Sequence, residues 1–334
     1  MNLKQKLLRL ATATTTAAVV GLALSPSSVL AIDKVRWRMP IAFPSNLPAL
    51  GPPAQYAAEQ LGLASGGAMQ VRVYEPGKLV PAFDILAAVS DGKTEAGYTW
   101  IGYDQGKVAA VPLFAAVPFG LKPWAFMAWY YEGGGHDMLQ EVYANKGFKV
   151  HAELCGIIGP ETAGWYKKPL QSLDDYNGLK IRFAGLGGKV IQKLGASVTM
   201  MPGGELFQAL EKGTIDAADY VGPAVNWDLG FGQVTKYILF GPPGFMSIYQ
   251  PVDLMDLTVN ARAWDRLTPQ MQQFVEEQVY SYSLHHYATI QKRNMAAMDE
   301  FLKSGSEVSR LSGADVVEFR KAAIPVWFEW ANKD

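Results

Sequence analysis

One short unit occurs twice in this chain. "PAFDILAAVSDGKTEAGY", from Pro81, lies over "PGGELFQALEKGTIDAADY", from Pro202, and Pro81 to Gly92 and Pro202 to Gly213 each span eleven positions. Ala87/Gln208, Gly92/Gly213, Ala96/Ala217 and Tyr98/Asp219 fall in register. Each copy reads as a helix entered at proline, whose fixed φ and missing N–H suit a first turn. A glycine follows where the helix must stop in a left-handed residue, and then a short strand. The match is either coincidental or the mark of two similar α/β lobes, each ending a strand at one shared cleft. The second reading sets Tyr98 and Asp219 opposite each other across that cleft.

The rest of the chain alternates in the same way. "KVRWRMPI" and "MQVRVYEPG" read as strands, "AQYAAEQLGLAS" between them as a helix, and "EAGYTWIGY" as a further strand. Strands separated by helices of 10 to 15 residues predict an α/β architecture with largely parallel strands. The expected boundaries are a signal segment over 1–31, a first lobe over 32–150, a second over 151–255 opening at "FKVHAELCGIIG", and a helical segment over 256–334. In that last segment Thr268 serves as N-cap and Pro269 as N1 for about 35 residues of helical period. So long a helix is either a brace crossing both lobes or a dimer contact.

The first residues carry an address. Lys4, Lys6 and Arg9 precede an apolar Ala/Val/Leu run that ends in Val29-Leu30-Ala31, the pattern of a secretory signal cleaved after Ala31. Losing those three cations moves the formal charge from −1 to −4, which argues against nucleic acid or an anionic membrane as partner. One cysteine, Cys155, excludes an internal disulfide and reads as a buried small hydrophobe.

Enzyme signatures are mostly missing: there is no G-x-S-x-G, no H-E-x-x-H, no P-loop and no cysteine pair. His285 and His286 are adjacent, so on a helix they point about 100° apart and cannot chelate one ion together. "GLGGKV" at 185–190 lacks the full dinucleotide fingerprint and reads as a strand-to-helix turn. Arg182 is different, because in the apolar strand "LKIRFAG" a cation is costly without an anion. That anion is either an internal carboxylate or the carboxylate of a ligand held bidentately. Asp219 and Tyr220 before a Gly-Pro turn can offer a carboxylate and a main-chain oxygen to a hard cation; Glu161 and Gln250 add two more oxygens. Oxygen donors without sulfur or imidazole suit Ca²⁺ or Na⁺. Phe43, Trp100, Trp165 and Phe245 are candidate walls, with Asn46 and Tyr98 as further ligand contacts.

At these residues the chain resembles a known family. "DGKTEAGYTWIGY", "ETAGWYKKPLQSLDDYNGLKIRFAGLGGKVIQKLGA", "MPGGELFQALEKGTIDAADYVGP" and "WDLGF" are similar to the extracytoplasmic solute receptors of TRAP transporters. The likeness is greatest to the branch that binds 2-oxo acids and lactate with a metal ion, and it runs from about 35 to 330. It implies a two-lobed periplasmic-binding-protein fold, α/β, with a ligand cleft between the lobes and a long C-terminal helix. It also implies that Arg182 salt-bridges the ligand carboxylate and that Asp219, Tyr220 and Gln250 hold the metal. Glu161 stands where the family has Asn or Gln, a departure that favours a divalent ion.

The resulting reading is a periplasmic receptor, without catalysis, that closes on a 2-oxo or 2-hydroxy monocarboxylate with Ca²⁺ or Na⁺. It would deliver that ligand to the small and large membrane subunits of a TRAP permease. A bulkier apolar or aromatic acid, delivery to a sensor protein, and an exported metal-dependent hydrolase are the alternatives; a homodimer through the long helix stays open beside a monomer.

Overall fold

The structure is a computed structural model that describes residues 34–243 and 247–333. The signal segment and Phe245 lie outside the described residues. No described helix is long and apolar enough to cross a membrane.

Eleven strands form the frame: β1 (Val35–Pro40), β2 (Met69–Tyr74), β3 (Ala96–Trp100), β4 (Val150–Ile158), β5 (Trp165–Tyr166), β6 (Lys180–Arg182), β7 (Ser197–Thr199), β8 (Ala217–Ala218), β9 (Tyr237–Phe240), β10 (Asp253–Asn260) and β11 (Glu307–Arg310). β1 and β2 pair in parallel, and a parallel bridge from Ile41 to Tyr98 ties them to β3. β3, β10 and β4 make a second sheet in that order, and the third runs β11-β9-β5-β8-β6-β7.

The repeated unit is built alike in two sheets. Ala82–Asp84 and Gly203–Glu205 are single 3-10 turns that lead into the helices Ile85–Ser90 and Leu206–Glu211. Gly92 and Gly213 then take φ of 74° and 72°, a region that side chains with a Cβ avoid. The strands that follow, β3 and β8, go to different sheets. The two-lobed α/β expectation therefore has its physical basis in the repeat.

Two expectations need correction. β1 and β2, β6 with β7 and β8, and β9 and β11 pair in parallel, but β10 lies antiparallel between β3 and β4, and β5 lies antiparallel to both β8 and β9. These are the returning strands of a chain that passes between the sheets more than once. For the same reason β4 does not open a second lobe: Leu257 sits opposite Glu153 and Tyr98 at once, so 150–158 and 253–260 both belong to the sheet that holds β3. Every residue of β10 is buried, as a central strand requires.

The long helix is Pro269–Lys303, 35 residues, with the Thr268 hydroxyl accepting from the Met271 N–H at 3.3 Å. It packs on β4, on helix Pro52–Ala64 and on helix Pro223–Asp228, elements that lie with different sheets. It is a brace. One hydrophobic core surrounds the first sheet and extends to Trp165, Phe231 and Phe301; a second gathers Tyr166, Tyr176, Phe183, Tyr249 and Phe319.

Candidate functional site

The ends of the strands converge on one small buried space. Arg182 closes β6 and Trp100 closes β3, while Asp219 and Tyr220 follow directly on β8. These are the carboxyl ends of strands, where open α/β sheets place ligands. The loop after β4 supplies Glu161, whose N–H donates to Gln250 O at 3.1 Å, so that two loops are stitched together at the site. A cavity of about 30 Å³ lies among these side chains, with Phe43, Trp100, Glu161, Arg182, Tyr220 and Gln250 in its wall. All six are buried, and so is Asp219.

Arg182 makes no direct ion pair among the described residues, although its charge acts on Asp219, Glu161 and Asp253. Its Nε donates to Met201 O at 3.2 Å and its Nη1 to the main-chain oxygen of Asp219 at 2.6 Å. No carboxylate of the described residues comes within ion-pair distance of it. Its guanidinium carbon stands 4.8 Å from the centre of the Tyr220 ring, which fixes the plane of the fork. Of the two readings open for an arginine in an apolar strand, a direct internal salt bridge is not formed among the described residues.

The oxygens around it are short of partners. Glu161 Oε2, Asp219 Oδ1 and Gln250 Oε1 are buried and accept nothing. Asp253, at the head of β10, joins them: its Oδ1 accepts from Trp100 Nε1 at 3.1 Å and Gln250 Nε2 at 2.9 Å, and its Oδ2 is unpartnered. Burial pushes Glu161 well above the usual carboxylate range, and the charges of Asp253 and Asp219 push it further. Asp219 rises for the same reason, burial first, with Arg182 pulling it back down. Burial lifts Asp253 to about 6 against the hydrogen bonds it accepts. Buried oxygens that lack donors and repel one another are what a hard cation satisfies. The donor set of carboxylates, an amide and a carbonyl fits Ca²⁺ or Na⁺. The Tyr220 carbonyl accepts from Asn226 Nδ2, and a carbonyl has a second lone pair for a cation. Val221, next in the chain, holds φ of 44°, costly for a β-branched residue and confined here to the wall of the cavity.

Three expected residues stand elsewhere. Tyr98 is buried inside β3, with its ring 6.5 Å from that of Phe43, so it backs a wall residue and does not line the space. Its copy-mate Asp219 lies beyond a strand of two residues, whereas β3 continues to Trp100. Asn46 lines a separate pocket against the long helix, beside Tyr56 and His285. Trp165 packs on Phe231 and Phe301 in the core. Two polar wall residues escaped the sequence reading. Asp253 heads "DLMDLTV", an acid on an apolar run, and the logic that singles out Arg182 would have found it. Tyr103 carries no signal beyond that of a core aromatic.

The chain was compared with known proteins on this basis. The family model described as "Bacterial extracellular solute-binding protein, family 7", DctP, matches residues 51–334. A monocarboxylate 2-oxoacid-binding periplasmic protein of Nostoc sp. is 34% identical over 100% of this chain and 90% of its own length. A TRAP transporter solute-binding protein of Bordetella bronchiseptica, a mixed-occupancy dimer with calcium and picolinate, matches 90% of this chain and 88% of its own at 32% identity and TM-score 0.84. One from Pseudoalteromonas atlantica with sodium and pyruvate covers 90% of both chains at 27% identity and TM-score 0.84.

Proposed function

The chain belongs to the DctP family of bacterial extracellular solute-binding proteins, the TRAP receptors, and we propose that it captures a 2-oxo or 2-hydroxy monocarboxylate together with a cation in this cavity. The observation that carries the reading is a buried arginine with no carboxylate of the described residues at ion-pair distance, set beside four buried oxygens with no donor. The ligand carboxylate takes the free edge of Arg182, and its carboxylate and neighbouring oxygen complete the shell of the cation. Asp219, Tyr220, Gln250, Glu161 and Asp253 are the groups that would hold the ion, which supplies charge compensation to a crowded set of acids. Three carboxylates and a ligand anion face one guanidinium here, so a divalent ion compensates the charge better than a monovalent one; the reading favours Ca²⁺ over Na⁺.

The small cavity and the lack of an imidazole in its wall support a receptor over a hydrolase, which needs a base beside an open metal position. On this reading the protein works in the periplasm and its closed form docks on the small and large TRAP membrane subunits. The sheet β3-β10-β4 with β1 and β2 forms one lobe and the six-stranded sheet the other. Thermal shift with pyruvate and lactate, with and without Ca²⁺, tests the proposal. Expected is a rise in melting temperature with acid that is larger when calcium is present, since a ligand of the folded state stabilises it by mass action. If neither acid shifts the melting temperature at millimolar concentration in calcium, the proposal fails.

A further inference from the structure

We propose that His136, His151 and Glu153 form a second cation site, apart from the cleft, for a transition-metal dication of the zinc class. His151 and Glu153 stand at i and i+2 on β4 and so share one face of the strand. His136 comes from the first turn of helix Gly135–Asn145, which packs on that strand. The three donor atoms lie within 4.8 Å of one another. Both imidazoles aim the same nitrogen at one carboxylate oxygen: His136 Nε2 lies 2.8 Å and His151 Nε2 2.6 Å from Glu153 Oε1.

The surroundings hold the donors in place. His136 Nδ1 is 3.4 Å from Asp137 Oδ1, the outer carboxylate partner that metal-bound imidazoles commonly have. The His151 ring stacks on Trp264 at 3.7 Å with planes 9° apart, which fixes its orientation. Gln140 is locked by paired bonds to the Ala152 main chain, and its Nε2, a donor, lies 3.2 Å from His136 Nε2. That ring nitrogen thus meets a donor and a carboxylate together, and a single proton on it cannot suit both. A cation bound between nitrogen and carboxylate would satisfy both of those lone pairs, while the Gln140 amide keeps its bond to Ala152 O. In tetrahedral geometry the donor atoms would sit roughly 3.3 Å apart, so the two nitrogen-to-carboxylate spacings of 2.8 and 2.6 Å would open by a little over half an ångström. Both histidine side chains are partly exposed, at 26% and 17%, so an ion can reach them. Glu276 of the long helix has an oxygen 4.0 Å from His151 Nε2 and is free to become a fourth ligand, with water the other candidate. Two imidazoles with carboxylate suit Zn²⁺, Co²⁺, Ni²⁺ or Cu²⁺, whereas the all-oxygen cleft suits Ca²⁺. The ion would staple β4, the Gly135–Asn145 helix and the brace helix.

The test uses tag-free protein in excess Ca²⁺, so that the cleft is not available to the second ion. Zinc chloride is titrated by calorimetry, and cobalt chloride is added to a parallel sample for visible spectroscopy. Expected are one equivalent of zinc, a raised melting temperature, and the intense visible absorption of four-coordinate cobalt that zinc displaces. His136→Gln and His151→Gln should each weaken zinc binding by at least about tenfold, roughly 1.4 kcal/mol, with the calcium response of the cleft unchanged. No uptake of zinc by the wild-type protein at tenfold excess would overturn the site and leave two imidazole N–H groups on a carboxylate. Equal uptake by the double variant, or a cobalt spectrum of six-coordinate form only, would overturn it as well. The wild-type titration decides the matter even where a variant fails to fold.

Discussion

Replacing Arg182 by methionine removes the positive end of the site while keeping a side chain of similar reach. A guanidinium has five N–H donors, and two are committed here, Nε–H to Met201 O and one on Nη1 to Asp219 O. The remaining three include both hydrogens of Nη2 and one on Nη1, the pair of edges that meets a carboxylate bidentately. Breaking a buried, hydrogen-bonded charge pair by truncating one partner costs roughly 2–5 kcal/mol, which is about 30-fold to several-thousand-fold in Kd. Two buried main-chain acceptors lose their donor at about 1–3 kcal/mol each, against the 5–15 kcal/mol that typically separates folded from unfolded chains, so the melting temperature should fall while the fold survives. Calorimetry with pyruvate in calcium, alongside a melting curve, reads both quantities. Arg182→Lys should fall between the two, since it keeps the charge and loses the fork. If methionine at 182 costs less than about tenfold in affinity, the ligand carboxylate does not sit on this guanidinium.

Removal of the cation should weaken acid binding, and Asp219→Asn should mimic the chelator, since the metal and the acid share oxygens and their coupling is reciprocal; equal acid affinity in metal-free and metal-loaded protein would refute the shared site. Burial lowers His286 to about 4, with a hydrogen bond to the Ala49 main chain offsetting part of the effect. The folded state therefore binds fewer protons than the unfolded one below the ordinary histidine pKa. The stability that His286 contributes is complete above about 6.5 and is lost as pH falls towards 4, an amount of about 3 kcal/mol. His286→Gln should flatten that limb of the melting temperature against pH, and an unchanged slope would disprove the assignment. Light scattering at micromolar concentration tests a dimer: the brace helix leaves Tyr280, Met295 and Leu302 exposed, and a monomer mass would exclude pairing through them.

What could be read from the sequence was what leaves a local trace. Arg182 is legible because its neighbours announce burial and its charge contradicts them. Thr268-Pro269 marks the start of the brace helix by cap chemistry alone, and the two glycines at 92 and 213 announce the helix stops. The lobe boundary left no such trace. β10 pairs with β3 and β4 across some 100 to 160 residues of chain, and nothing in the run "DLMDLTVN" says which sheet it enters. Tyr98 was misplaced because the register of a repeat fixes sequence offsets and not strand lengths. β8 ends at Ala218 and β3 at Trp100, so the same offset lies at the rim in one copy and inside the sheet in the other.

The cavity at the site measures about 30 Å³, room for a water molecule or two and less than any organic acid fills. A solute cannot enter such a space by diffusion through a fixed mouth, so association waits on a spontaneous parting of the walls. The observed rate of capture should then rise with solute concentration only until it meets the opening rate, and level off there. Below that plateau the protein reports how much solute is present. Above it, it reports its own clock, and uptake by a cell that relies on it is paced by the walls of one small cavity.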